Sequence, residues 1–313
     1  MVEFSKKSAG EKLHINGFLI KLFQSIKCTM KILVIQQKMI GDVLLSTLIC
    51  KNLKLWNSKI TVDFIANRHT LDVIRHNPYI DEIVVFEDDF KKNKWGLFKF
   101  LLNQRNKKYD YIIDCYGKLE SLLICAFTPA KKKIGFKKIN TLLVYNHSIQ
   151  RKTKQDSALQ LSTVNRFQLL EPIMGDAQKN SEVEIFLSDE EKLSSRKKMD
   201  QVIGKEKKAI MISAMGSSDI KTYPSEYLAR LIEVTYKTTQ LPIILNYRPD
   251  QEDKILDLMD HLAPSTKNAI VKKLTPGSLR DFMKTVYHCV AILGNEGRAI
   301  NMAKSLKIPT FAI

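Results

Sequence analysis

A chain of 313 residues with 44% apolar content is long enough for two hydrophobic cores and too apolar for general disorder. Its net charge of +17 points to polyanionic partners, and on charge alone nucleic acid, anionic lipid head groups and phosphorylated glycolipids are all open. No run of about 18 uncharged apolar residues argues for a spanning helix. The start lacks the order of a secretory signal, and cysteines 28, 50, 115, 125 and 289 lack CxxC or His/Cys spacing, so reduced thiols of a cytoplasmic protein are expected.

Residues 1–29 precede Met30, a second natural start. Ile15, Phe18, Leu19, Leu22, Phe23 and Ile26 fall at helical spacing with Lys12, Lys21 and Lys27 among them. That is a basic amphipathic helix, suited equally to a membrane surface or to packing on the protein. Translation from Met30 is the third reading.

From Lys31 the chain alternates. KILVIQ predicts a strand and 41–56 a helix. ITVDFIA (60–66) predicts a strand, 68–77 a helix stopped at Pro78, EIVVFE (82–87) a strand and 95–106 a helix. YDYIIDC (109–115) and a helix over 117–127 follow, then strands near 132–136 and 142–149 and a long helix over 156–174. EVEIFL (182–187), KKAIMISA (207–214), LPIILNY (241–247) and CVAILGN (289–295) predict strands, separated by helices over 189–203, 224–238, 249–261 and 276–287. Alternation of this kind makes a parallel sheet covered on both faces. Two doubly wound α/β domains are therefore expected, 30–175 and 176–313, with ligands in a cleft at the carboxyl ends of their strands. The sequence stops at PTFAI, inside a strand, so a missing C-terminal segment is expected.

Three segments carry chemistry. In the first, Gly41-Asp42 joins a buried strand to a helix. Glycine allows close backbone approach to a ligand, and an acid in the first helical turn suits either a capping role or a desolvated base. In the second, "ISAMGSSDIKTYPSEYLARL" (212–231), Ser213 ends a strand and Lys221 precedes a helix start, which suits a phosphate cradle or a solvated surface charge. In the third, the turn Gly294-Asn295-Glu296-Gly297 leads into Arg298 and a helix. Its backbone amides suit a diphosphate, while Glu296 suits a sugar hydroxyl or a cap. Neither GxGxxG nor GxxxxGK[ST] is present, and no D-x-D sequence suggests a metal. Residues 91–154 hold sixteen Lys or Arg against three Asp or Glu, including "KKKIGFKK", in a chain where lysine is abundant generally. The lysines show no interleaved aromatics, so nucleic acid is not the expected partner.

Taken in this order and spacing, the segments resemble glycosyltransferase family 9, the lipopolysaccharide heptosyltransferases. The family opening "ILVIR…IGDVLLATPLLRALK" is matched by residues 32–54, and its "KRWPxExFAxL" by Lys221-Thr222-Tyr223-Pro224-Ser225-Glu226-Tyr227-Leu228-Ala229. Its "GNDTGPMHLAAALGTPVVAL" is matched by residues 294–313. The resemblance implies a GT-B fold, two Rossmann-like domains facing across a cleft. It also implies an inverting, metal-independent transfer with no cofactor beyond a nucleotide-sugar donor, ADP-heptose by default. The implied acceptor is a lipopolysaccharide core or another cell-surface glycan, met on the inner face of the inner membrane. It makes Asp42 the base, with Gly41 beside it. It assigns donor contacts to Ser213, Lys221, Gly294, Asn295, Glu296, Gly297 and Arg298. Acceptor or membrane contacts fall to Lys131, Lys132, Lys133, Lys137 and Lys138. Two departures stand out: Asp-Thr-Gly has become Glu-Gly-Arg at 296–298, and the family histidine is Asn301. A different nucleotide-sugar, or a degenerate two-lobe binding protein, are the rival readings.

Overall fold

The structure, a computed structural model, describes residues 30–155, 158–216 and 218–313; the expected helix within 1–29 lies outside them. The first half is a six-stranded parallel sheet of order β3-β2-β1-β4-β5-β6. Its strands are β1 (Lys31–Ile35), β2 (Thr61–Asn67), β3 (Glu82–Phe86), β4 (Tyr109–Asp114), β5 (Ala130–Phe136) and β6 (His147–Ile149). The central β1 is buried on both faces, with Val34 registered against Phe64 on one side and Ile113 on the other. That is why its sequence is continuously apolar rather than alternating. Helices α1 (Ile40–Trp56), α2 (Lys94–Arg105) and α3 (Leu119–Phe127) cover the sheet. Then come α4 (Leu161–Gln168) and the single turn α5 (Glu171–Met174).

The second half holds α6 (Asp189–Ile203), β7 (Ala209–Ser213), α7 (Ser225–Thr239), β8 (Ile243–Asn246), α8 (Glu252–Asp260) and α9 (Pro264–Ala269). It closes with α10 (Leu279–Val286), β9 (Cys289–Gly294), α11 (Arg298–Ser305) and β10 (Thr310–Ala312). Its four parallel strands run β10-β9-β7-β8.

The structure departs from the sequence expectations at four places, the first being the long helix expected over 156–174, which is Leu161–Gln168 and a separate turn Glu171–Met174. Residues 182–187 form no strand; Ile185 and Leu187 are buried, but the segment makes one ladder-like bond, from the Ile185 amide to the Ser305 carbonyl at 3.0 Å. Alternating burial had the strand pattern, and no neighbouring strand completes it. The expected helix over 68–77 is a short 3₁₀ segment, Arg68–Val73, closed by His76 at φ 60. The expected strand over 142–149 is confined to His147–Ile149, because Ile139–Thr141 form a 3₁₀ turn.

The two sheets do not pack as isolated bodies. One continuous apolar cluster runs from Ile32, Leu48 and Phe64 through Leu169, Leu170, Met174 and Ile185 to Met211, Phe282 and Ile292. Each sheet buries its other face in a separate cluster, around Leu33 and Ile112 in the first and Ile212 and Ile232 in the second.

Candidate active site

In an open parallel sheet, the crevice forms where the strand order reverses, because the loops on either side leave in opposite directions. The first sheet reverses between β1 and β4, and the second between β7 and β9. The loops after those four strands hold Asp42 and Lys118, and Ser213 through Lys221 and Gly294 through Arg298. All three chemistry-bearing segments of the sequence therefore sit at switch points. The lobes meet at this end as well: Arg280, at the start of α10, donates to the Asp72 carbonyl after β2 at 2.7 Å.

Asp42 lies in the first turn of α1, its side chain half-exposed. It does not cap the helix. The N-cap is Met39, in left-handed backbone at φ 66, with no side-chain capping bond. The tight turn expected at Gly41 is thus taken by Met39, and Gly41 is helical with open space where a Cβ would stand. The carboxylate instead receives the buried Arg166 of α4: Nη2 donates to Asp42 Oδ1 at 2.7 Å. Arg166 also donates through Nε to Ser46 Oγ at 3.4 Å and through Nη1 to the Ser162 carbonyl at 3.3 Å. Cys115 lies beside it with its thiol pushed up to about 12 by burial, so it stays neutral and does not compete for the guanidinium. Arg166 was not among the sequence candidates. It sits 124 residues from Asp42 in a helix with no motif of its own.

The loop after β4 is pinned from below. Asp114 accepts from the Tyr116 and Gly117 amides, both at 2.9 Å, and from Tyr145 Oη at 2.6 Å. Burial raises its pKa, partly offset by those donors. A Cβ on Gly135 would fall 2.3 Å from the Tyr145 ring, so glycine there is what lets the tyrosine reach Asp114.

In the second lobe, Asn295 is buried and spends its side chain on structure. Its Oδ1 accepts from the Tyr223 amide at 2.6 Å, and its Nδ2 donates to the Ser213 and Ala214 carbonyls at 3.1 and 2.9 Å. Ser213 Oγ in turn donates to the Asn295 carbonyl at 3.1 Å. Asn295 is therefore a lock between the two loops rather than a free ligand group. Gly294 stands at φ +120, where a Cβ would lie 2.5 Å from the Ser213 carbonyl oxygen, and a Cβ on Gly216 would lie 2.0 Å from that of Lys221. Both glycines are required by close backbone approach.

The loops frame a cavity of about 300 Å³ lined by Ser213, Gly216, Arg248, Ser278, Gly297 and Arg298, among others. Arg298 is the first residue of α11, so a cation and free helix amides face the cavity together. Glu296 and Lys221 are both exposed, and neither lines the cavity. The Lys221 backbone is held by its amide donating to the Ser218 carbonyl at 3.0 Å, while the Lys221 ammonium makes no hydrogen bond or ion pair with any described residue and is free to swing.

The five lysines of "KKKIGFKK" are separated by the strand they form. Lys131, Lys132 and Lys133 lie at the start of β5, where β6 does not pair, and Lys131 is bound to Asp110 at 2.6 Å. They guard a sheet edge. Lys137 and Lys138 follow the strand's carboxyl end, on the cleft side, roughly 20 Å away at strand rise. Among the described residues no cluster of three or more His, Cys, Asp or Glu is placed to hold a metal, and no helix is long and apolar enough to cross a membrane.

Two Rossmann-like lobes presenting facing switch points define the GT-B fold. A family model, glycosyltransferase family 9 (heptosyltransferase), matches residues 97–313, and the chain belongs to that family. Lipopolysaccharide heptosyltransferase 1 of Campylobacter coli is 22% identical over 292 residues, 91% of this chain and 83% of that protein. Among solved structures, a glycosyl transferase family 9 protein of Veillonella parvula superposes with TM-score 0.76 at 14% identity, covering 91% of this chain and 82% of that one. E. coli ADP-heptose lps heptosyltransferase II gives 0.70 at 17%, covering 90% and 84%. E. coli heptosyltransferase WaaC with ADP-2-deoxy-2-fluoro heptose gives 0.67 at 14%, covering 90% and 87%.

Proposed function

We propose that the protein transfers a heptose from ADP-heptose to a lipopolysaccharide core, with inversion and without a metal. The observation that carries this reading is the pairing of switch points. One presents a half-exposed carboxylate, and the other a cavity flanked by a helix start and cations. The Campylobacter coli relative and the E. coli structures support the sugar, the nucleotide and the acceptor class.

Asp42 takes the proton of the acceptor hydroxyl through Oδ2, since Oδ1 is held by Arg166. The freed oxygen pair attacks the anomeric carbon from the face opposite the diphosphate, and the bond to the diphosphate breaks. The charge that builds on the leaving group is met by Arg298, the amides opening α11 and a swung-in Lys221. With these cations in place, the diphosphate can leave without metal assistance.

A different donor is the second reading, favoured by Arg298 lining the cavity where the family pattern has glycine and by Glu296 standing outside it. Turnover with ADP-heptose, UDP-glucose and GDP-mannose separates the two. Asp42→Asn should cut turnover on the preferred donor by roughly 10²–10⁴-fold while ADP raises the melting temperature as in the parent. Parent-level turnover in that variant would remove Asp42 from the mechanism.

A further inference from the structure

The carboxyl-end rim of the first lobe exposes aliphatic side chains that the reaction does not use. In the turn after β5, Ile139 and Leu143 are 95% and 102% exposed, and Leu142 is 55% exposed. On the neighbouring loops Leu119 is 70% and Met39 68% exposed. These loops are joined. Lys138 Nζ donates to the Gly117 carbonyl at 3.0 Å, and Lys38 pairs with Glu120 at 2.9 Å. The exposed residues therefore form one surface beside the α1 start that carries Asp42.

The turn is built to hold them outward. Thr141 Oγ1 donates within the turn, to the Lys138 carbonyl at 2.9 Å, and accepts from the Lys138 amide at 2.9 Å. Tyr145 is buried and bonded to Asp114. With Thr141 and Tyr145 fixed inward, Ile139, Leu142 and Leu143 have no inward place to go. Contiguous aliphatic exposure of this kind marks an interaction surface.

Cations surround the patch. Lys118, Lys137, Lys138 and Arg151 are exposed on the same loops. Lys138, whose ammonium is held below its ordinary value by burial and by the positive charges of Lys118 and Arg151, is set beside Lys118 by its bond to the Gly117 carbonyl. The nearby acids are already engaged: Glu120 by Lys38 and Asp42 by Arg166.

We propose that this rim docks on an anionic lipid bilayer, its aliphatic tips entering the acyl boundary and its cations meeting phosphate head groups. The charge excludes a second copy of the same face, which would set like cations against each other. The outward residues are aliphatic, which suits insertion among acyl chains rather than stacking on bases. The transferase reading adds only the consequence, that docking here brings a lipid-borne acceptor to the Asp42 side of the cleft.

Sedimentation of the full chain with vesicles of phosphatidylglycerol and phosphatidylethanolamine, against vesicles of phosphatidylcholine alone, tests this. Binding to the anionic vesicles alone, weakened by salt, is expected. Ile139→Asp with Leu143→Asp should weaken it at least about tenfold by removing the inserted side chains. Lys118→Glu with Lys137→Glu should do the same by charge. All these residues are solvent-exposed, and an unchanged melting-temperature rise with ADP would show the variants folded. Wild-type failure to bind, parent-level binding by either variant, or a concentration-dependent dimer lost on the same substitutions would overturn the proposal. Vesicle binding without any response to ADP would leave it standing and count against the transferase reading instead.

Discussion

Asp42 spends one carboxylate oxygen on a buried arginine and leaves the other without a partner among the described residues. A base so held has a fixed direction, which matters more for proton transfer than raw basicity. Arg166 is therefore a positioning residue, and its loss should act on rate rather than on donor affinity. Arg166→Ala should lower kcat by about a hundredfold with the donor KM near the parent value, and Arg166→Lys should recover part of it. Steady-state kinetics of both variants check this; equal losses in the two, or a loss confined to KM, would show that Arg166 does something else. At this scale the Gly41-Asp42 and Gly294–Gly297 turns were legible in the sequence as strand-to-helix junctions, whereas the approach of Ser213 that requires Gly294 was not. Nor was Arg166, since an arginine inside an amphipathic helix carries no local mark of what it reaches.

Among elements, α6 and α10 are joined by one ion pair with several duties. Ser188 Oγ and the Glu191 carboxylate form a capping box at the start of α6, with bonds of 3.2 and 3.0 Å. The same carboxylate takes two bonds from Arg280 of α10, at 2.8 and 2.6 Å, and Arg280 also reaches the Phe186 carbonyl at 2.9 Å. The Arg280 guanidinium, against partial burial and with help from the Ser188 amide, draws the Glu191 carboxyl down to about 2 from an ordinary 4.5. A group depressed on folding contributes its stability fully above the unfolded value and loses it as pH falls through the folded one. The melting temperature should thus drop between pH about 4.5 and about 2, and Glu191→Gln should flatten that part of the profile while lowering stability at neutral pH. A parent and variant that fall in parallel would remove Glu191 from the acid response. The sequence placed this helix over 189–203 by its pattern, and Ser188 and Glu191 stand at the three-residue spacing of a capping box. No such spacing marks the arginine partner, 89 residues on.

Across the whole molecule, Glu184 links the lobes on the side opposite the cleft mouth loops. It accepts from the buried Lys51 of α1 at 2.6 Å and pairs with Lys307, after α11, at 3.1 Å. Lys51 also donates to the Glu182 carbonyl at 3.0 Å. The segment that failed to become a strand is thus a strap whose acids bind both halves. Glu184→Ala should cost about 2 kcal/mol, because the buried Lys51 ammonium then keeps only the Glu182 carbonyl and a longer contact to the Glu182 carboxylate at 3.7 Å. Thermal unfolding reads it, and a variant as stable as the parent would show that water replaces the carboxylate without penalty.

Local periodicity and spacing determined most of the elements, the doubly wound class and the three segments that meet at the cleft, because strand and helix patterns and glycine turns are properties of neighbouring residues. What only the tertiary structure decided was the strand order that turns two of those loops into facing crevices. It also decided the arginine behind Asp42, the burial of Asn295 as a lock, and the division of the lysine run between a guarded sheet edge and the cleft rim. Each depends on which distant segments become neighbours, and that is set by how the whole chain buries its apolar faces.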